Sequence, residues 1–154
     1  MERIVPIGRR MEMTMNSVVS SRPVPLHPVH AFFLAATVPP FLGAVLSDYA
    51  YKSSFEVQWA NFASWLLGGG LVFGAVAVVC ALVDMSRDDR RGARVVEIVL
   101  LLGMWILGFI DALVHARDAW AAMPTGFVLS LIVLVLAVAA TWVGFSGFAR
   151  RATP

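Results

Sequence analysis

Four blocks of mostly apolar residues, at about 29–47, 61–83, 95–114 and 126–148, constrain this chain more than any other feature. A helix of about 20 residues crosses a hydrocarbon core about 30 Å thick, so each block is long enough to span a bilayer. Inside lipid the backbone must satisfy its own hydrogen bonds, which leaves helices or a closed barrel. Barrel strands would alternate apolar and polar residues, and the run Leu131-Ile132-Val133-Leu134-Val135-Leu136 does not. Composition agrees: 59% of the 154 residues are hydrophobic and 14% charged, against about 25% charged in ordinary soluble domains. Disorder, coiled coil and a disulfide-rich scaffold are excluded. Cys80, a lone cysteine in an apolar run, forms no internal bridge and says nothing of redox compartment. The expected fold is all-α, an integral membrane four-helix bundle with antiparallel, up-down order.

Basic residues give the expected orientation, because positively charged flanks stay in the cytoplasm. Arg3, Arg9, Arg10, Arg22, Arg87, Arg90, Arg91, Arg94, Arg150 and Arg151 fall on one side, against Lys52 and Arg117 on the other. Both termini and the middle loop are therefore expected inside. The net charge of +2 follows from this topology and gives no support to nucleic-acid binding. Tyr49, Tyr51, Trp59 and Trp120 fall in or beside the outer loops, where amphipathic rings favour the headgroup level. Residues 1–26 read as a polar cytoplasmic tail, 27–149 as the transmembrane domain and 150–154 as a second cytoplasmic tail. Met11, Met13 and Met15 leave the start codon open, and a signal peptide cleaved after Ser47 is a competing reading of the first block. Against it stand the long basic region and Pro39-Pro40 within the apolar segment.

Each helix face carries information. On the second helix Gly70, Gly74, Ala77 and Ala81 form a seam of small residues that Asp84 extends. Such a seam lets another helix backbone come close, within the bundle or across a dimer. The first helix begins at His27-Pro28-Val29-His30, with Pro28 suited to the first helical position. Pro39-Pro40 is expected to kink it at mid-span. One face of this helix carries His30, Leu34, Thr37, Phe41, Ala44 and Asp48, and one face of the third carries Glu97, Leu101, Met104, Gly108, Asp111 and His115. Ionisable groups in membrane helices face the bundle interior or a cavity. The fourth helix has none and is expected to be the most lipid-exposed. Antiparallel packing then predicts two polar clusters: His27, His30, Asp84 and Glu97 at the cytoplasmic end, and Asp48, Asp111 and His115 at the outer end.

The His-Pro-x-His opening, Asp48 closing the first helix, the glycine-rich second helix ending in Val83-Asp84 and the four spans resemble the family known as domain of unknown function 2231. The resemblance covers roughly residues 26–148. It implies a small bacterial inner-membrane protein, and the fusion of some members to Rieske iron–sulfur domains implies an association with membrane electron transfer. The chain departs from the family pattern in two places. Glu97 stands where many members have a histidine, and Gly147-Phe148-Ala149-Arg150-Arg151 replaces a Tyr-Arg-His-Gly-like end.

Several chemistries can be weighed on these residues. His27 and His30, three apart on one helix, cannot clamp one haem between them, and His115 is expected at the other face; a haem b or quinone site would need a methionine ligand or a second subunit. A metal held by His27, His30, Asp84 and Glu97 has a coherent nitrogen–oxygen donor set, but an interhelical bond between His30 and Asp84 uses the same residues structurally. Transport lacks polar groups at the midplane beyond Thr37. Asp48 lies too near the helix end for the deep carboxylate of a multidrug exporter. No nucleophile stands beside a base, and Asp111 and His115 read as a local pair. The expectation is a non-catalytic structural or accessory subunit with no cofactor, which the resemblance associates with a membrane redox assembly. Its partners would be the bilayer and either another membrane protein or a second copy. The alternative is a metal- or haem-binding electron-transfer protein.

Overall fold

A computed structural model of the chain describes residues 26–86, 91–117 and 122–149. The segments 1–25, 87–90, 118–121 and 150–154 lie outside it, and with them both expected tails, part of the basic middle loop and Trp120. Five helices make up the described chain: α1 (Pro28–Ala36), α2 (Val38–Ser54), α3 (Val57–Met85), α4 (Arg91–His115) and α5 (Thr125–Ala149). Together α1 and α2 form the first of four spans long and apolar enough to cross a membrane; α3, α4 and α5 supply the others. The helices outlast the apolar blocks by one to seven residues at each end, most at the end of the first span, where α2 runs to Ser54.

The start of α1 follows from local chemistry. His27 is extended, its Nδ1 accepts a 3.3 Å hydrogen bond from the Val29 N–H, and Pro28 fills the first helical position. Thr37 separates α1 from α2 while keeping right-handed helical angles. Pro39 and Pro40 bring no N–H to the preceding turn. Thr37 Oγ1 donates to the Leu34 carbonyl at 2.7 Å, and Thr141 Oγ1, bonded chiefly to the Ala137 carbonyl at 2.8 Å, approaches the same oxygen at 3.3 Å. The first span ends at Phe55, whose left-handed backbone (φ 58°) and N–H bond to the Tyr51 carbonyl turn the chain into α3.

The spans pack in a closed ring: α2 on α3, α3 on α4, α4 on α5, and α5 back on α2, with α1 against α3 and α5. Each span lines the interior with residues spaced four and three apart. These are His30, Leu34, Thr37, Phe41, Ala44 and Asp48 on the first; Ala63, Leu67, Gly70, Gly74, Ala77 and Ala81 on α3; Glu97, Leu101, Met104, Gly108, Asp111 and His115 on α4; and Gly126, Ser130, Val133, Ala137 and Ala140 on α5, all buried. A sustained 3.5-residue repeat is the pattern of left-handed helix packing. The small residues on α3 face this interior. A Cβ on Gly70 would stand 2.7 Å from the Phe41 ring, and one on Gly74 would stand 2.7 Å from Met104 Cε. The outside is apolar, with Trp65 and Trp142 at 82% and 76% exposure. Tyr49 and Trp59 are exposed, whereas Tyr51 is buried on the stripe just beyond Asp48. Ser47 is likewise buried within α2.

Candidate functional site

Antiparallel packing brings the start of α1, the end of α3 and the start of α4 together. There His30 Nδ1 pairs with Asp84 Oδ2 at 2.8 Å, and His30 Nε2 faces Glu97 Oε1 at 3.1 Å without hydrogen-bond alignment. The second Glu97 oxygen accepts from Arg94 Nη1 at 2.6 Å, one helical turn back on α4. His30 and Glu97 are buried, while the Asp84 side chain keeps 18% exposure. Gly144 of α5 backs this cluster: a Cβ there would collide with Leu34 and stand 2.9 Å from Glu97 Oε1.

Of the four residues expected here, the fold brings three together. His27 stands apart, exposed and engaged with the α1 backbone. The helix starts at Pro28, so His27 lies before the interior stripe begins. The remaining donor set forms a line rather than a cage. The two nitrogens of His30 lie on separate edges of the ring: Nδ1 pairs with Asp84, and Nε2 faces Glu97 Oε1 at 3.1 Å. That arrangement offers a metal no common point, since Asp84 and Glu97 stand on opposite edges of the ring. Among the described residues no group of three or more His, Cys, Asp or Glu is placed to hold a metal ion. The donor set therefore does not fit a metal ion.

At the opposite end the expected trio of Asp48, Asp111 and His115 does meet, and a fourth residue closes it. His115 Nε2 pairs with Asp48 Oδ1 at 2.8 Å. His115 Nδ1 lies 3.0 Å from the Asp111 backbone carbonyl, which can only accept, so Nδ1 carries a proton. Ser130 Oγ of α5 lies 2.7 Å from Asp48 Oδ2 and 2.7 Å from Asp111 Oδ2. Asp111 Oδ1 approaches His115 Nδ1 at 3.1 Å but has no aligned donor. All four side chains are sealed from solvent, the two aspartates completely. Gly126 makes room for the imidazole, since a Cβ there would stand 2.7 Å from His115 Cε1.

Ser130 and Arg94 were not legible as site residues, although a signal existed for one. Ser130 occupies the interior repeat of α5, between Gly126 and Val133. An uncharged hydroxyl in an apolar run reads as ordinary packing unless that register is followed. Arg94 counts as a topology charge in sequence, and only the fold turns it towards Glu97. Neither cluster reaches the other: among the described residues the hydrogen-bonding side chains at mid-depth include Thr37, Thr141 and Trp105, each turned to a helix carbonyl.

Comparison with curated proteins and with solved structures returns no match. A family match does exist, over residues 26–150. It spans the whole bundle and both polar clusters, and so the chain belongs to the family described as "Predicted membrane protein (DUF2231)", a multi-pass membrane protein with four spans.

Proposed function

We propose that this protein is a non-catalytic structural or accessory subunit in a bacterial inner membrane, with both termini cytoplasmic, serving a membrane redox assembly. One observation carries the reading. The ionisable side chains inside the bundle are engaged with one another: His30 with Asp84 and Glu97 and His115 with Asp48 across helices, and His115 with Asp111 one turn back on its own helix. Groups committed in this way hold helices in register and are not directed at a substrate. The ten-to-two division of basic residues between the two sides supports the orientation. The link to a redox assembly rests on the family resemblance alone.

Isolation in native-lipid nanodiscs tests the role. The expected result is a fixed-stoichiometry complex with another membrane protein, with no Soret band or bound metal that depends on His30. A Soret band or bound metal that disappears in His30→Ala would overturn it in favour of an electron-transfer protein. In a Cys80→Ser background, Asp89→Cys should react with a membrane-impermeant maleimide only after the cytoplasmic face is opened. Labelling in intact cells would reverse the topology.

A further inference from the structure

The ring at the His115 end has more hydrogen bonds than its obvious protons can fill. Ser130 has one hydroxyl hydrogen, yet its oxygen lies 2.7 Å from a carboxylate oxygen on each side, Asp48 Oδ2 and Asp111 Oδ2. An ionised carboxylate only accepts. The hydroxyl can donate to one neighbour, and the second contact is a hydrogen bond only if the other neighbour brings a proton of its own. We propose that Asp48, Ser130, Asp111 and His115 form a buried proton-binding site, and that the proton it holds sits on Asp111 Oδ2.

Asp48 is the better anion of the two. Its Oδ1 faces His115 Nε2 at 2.8 Å and its Oδ2 faces Ser130, so each oxygen can receive a donor. Asp111 Oδ1 has none, because the His115 Nδ1 proton is directed to the Asp111 backbone carbonyl. A neutral carboxyl group tolerates that unmade bond at less cost than a carboxylate does. The protons then run one way round: Asp111 Oδ2–H donates to Ser130 Oγ, Ser130 Oγ–H donates to Asp48 Oδ2, and His115 Nε2–H donates to Asp48 Oδ1. With the imidazolium positive, Asp48 negative and Asp111 neutral, the buried ring carries no net charge. Without the extra proton two carboxylates would flank one hydroxyl and leave a net negative charge sealed from water, the situation in which paired carboxylates share a proton.

Among the described residues no other cation is buried beside the ring, and Arg117, two residues beyond His115, is exposed. The buried residues of α3 are Ala63, Leu67, Gly70, Gly74, Ala77 and Ala81. From α5 the ring meets Ser130 and the Gly126 backbone. On α2 the neighbouring polar residues are Ser47 and Tyr51, both buried, Tyr49, exposed, and Lys52, exposed with its Nζ over the Phe127 ring at 5.6 Å.

Infrared spectroscopy of the full chain in lipid at neutral pH tests the site. The wild type should show a protonated-carboxyl C=O stretch that shifts on labelling aspartate with carbon-13 at the carboxyl and that survives Asp84→Asn. Asp111→Asn should lose that band while still folding, because an amide N–H replaces the acid O–H as donor to Ser130. An unlabelled or absent band in the wild type overturns the proposal without reference to any variant. A band that persists in folded Asp111→Asn overturns the assignment to Asp111.

Discussion

At the His30 end each charge has a counter-charge: His30 and Arg94 stand against Asp84 and Glu97. At the His115 end one imidazole stands against Asp48 and Asp111, and the hydroxyl of Ser130 takes the fourth place. The first cluster also opens to the surface through Asp84, while the second is closed on every side. Both use a histidine between two carboxylates, and both are backed by a glycine of α5, Gly144 in one and Gly126 in the other. The contrast shows that burial, more than residue type, sets how much a polar cluster depends on each member. A cluster with a path to water can lose a partner and hydrate the remainder, and a sealed one cannot.

The largest test removes the residue on which the sealed ring turns. Asp48→Ala takes away the acceptor of both His115 Nε2 and Ser130 Oγ. Breaking a buried pair by deleting one partner costs about 3–5 kcal/mol, and unfolding by steric trapping in bicelles should show a loss in that range. A loss near 1 kcal/mol, about that of a typical exposed ion pair, would mean that water reaches the ring and would erase the distinction between the two ends.

The interior faces of three spans were legible because spacing alone defines a helix face. The stripes through His30 and Asp48, through Gly70 and Ala81, and through Glu97 and His115 are buried as their four-and-three repeat implies. Spacing does not define how far each helix slides along its neighbour. His27 illustrates that limit: it lies one turn short of His30, before the helix begins, and its ring serves the backbone. Ser130 illustrates another. Reading the fourth span by its charges found nothing to place inside, yet its repeat from Gly126 through Ala140 is as regular as the rest. Which hydroxyl meets which carboxylate depends on the axial offset of α5 against α4 and α2, a quantity that loop length limits but does not set.

The two glycines sharpen the comparison. Adding a methyl group at either position overpacks the interior, at a typical cost of about 1–3 kcal/mol. Gly126→Ala should fall at the upper end, because its Cβ would press on an imidazole already held by Asp48 and by the Asp111 carbonyl. Gly144→Ala meets the Leu34 side-chain terminus first, which can rotate away, and should fall at the lower end. The same unfolding measurement ranks them, and the reverse order would mean that the His30 cluster is the more rigid.

His30→Ala is expected to cost about 1–2 kcal/mol, in the range for leaving buried polar groups without a partner. Asp84 already reaches solvent, and Glu97 retains Arg94 Nη1 at 2.6 Å. Because Asp84 is partly exposed, its share of this loss should shrink as salt screens it, whereas the loss in Asp48→Ala should not change with salt. Salt dependence at both ends, or at neither, would contradict the difference in access.

Thr141→Val probes the level between the two clusters, and its effect should be the smallest. The hydroxyl bonds chiefly to its own helix at the Ala137 carbonyl, and its reach to the Leu34 carbonyl is long at 3.3 Å. Leu34 keeps the Thr37 hydroxyl at 2.7 Å in any case. Interhelical hydrogen bonds in membrane proteins average about 0.6 kcal/mol, and a value at or below that is expected because valine preserves the shape of the side chain. A loss comparable to that of His30→Ala would show that the junction of α1 and α2 leans on α5 at mid-depth. The bundle would then be held by three polar levels rather than by its two ends.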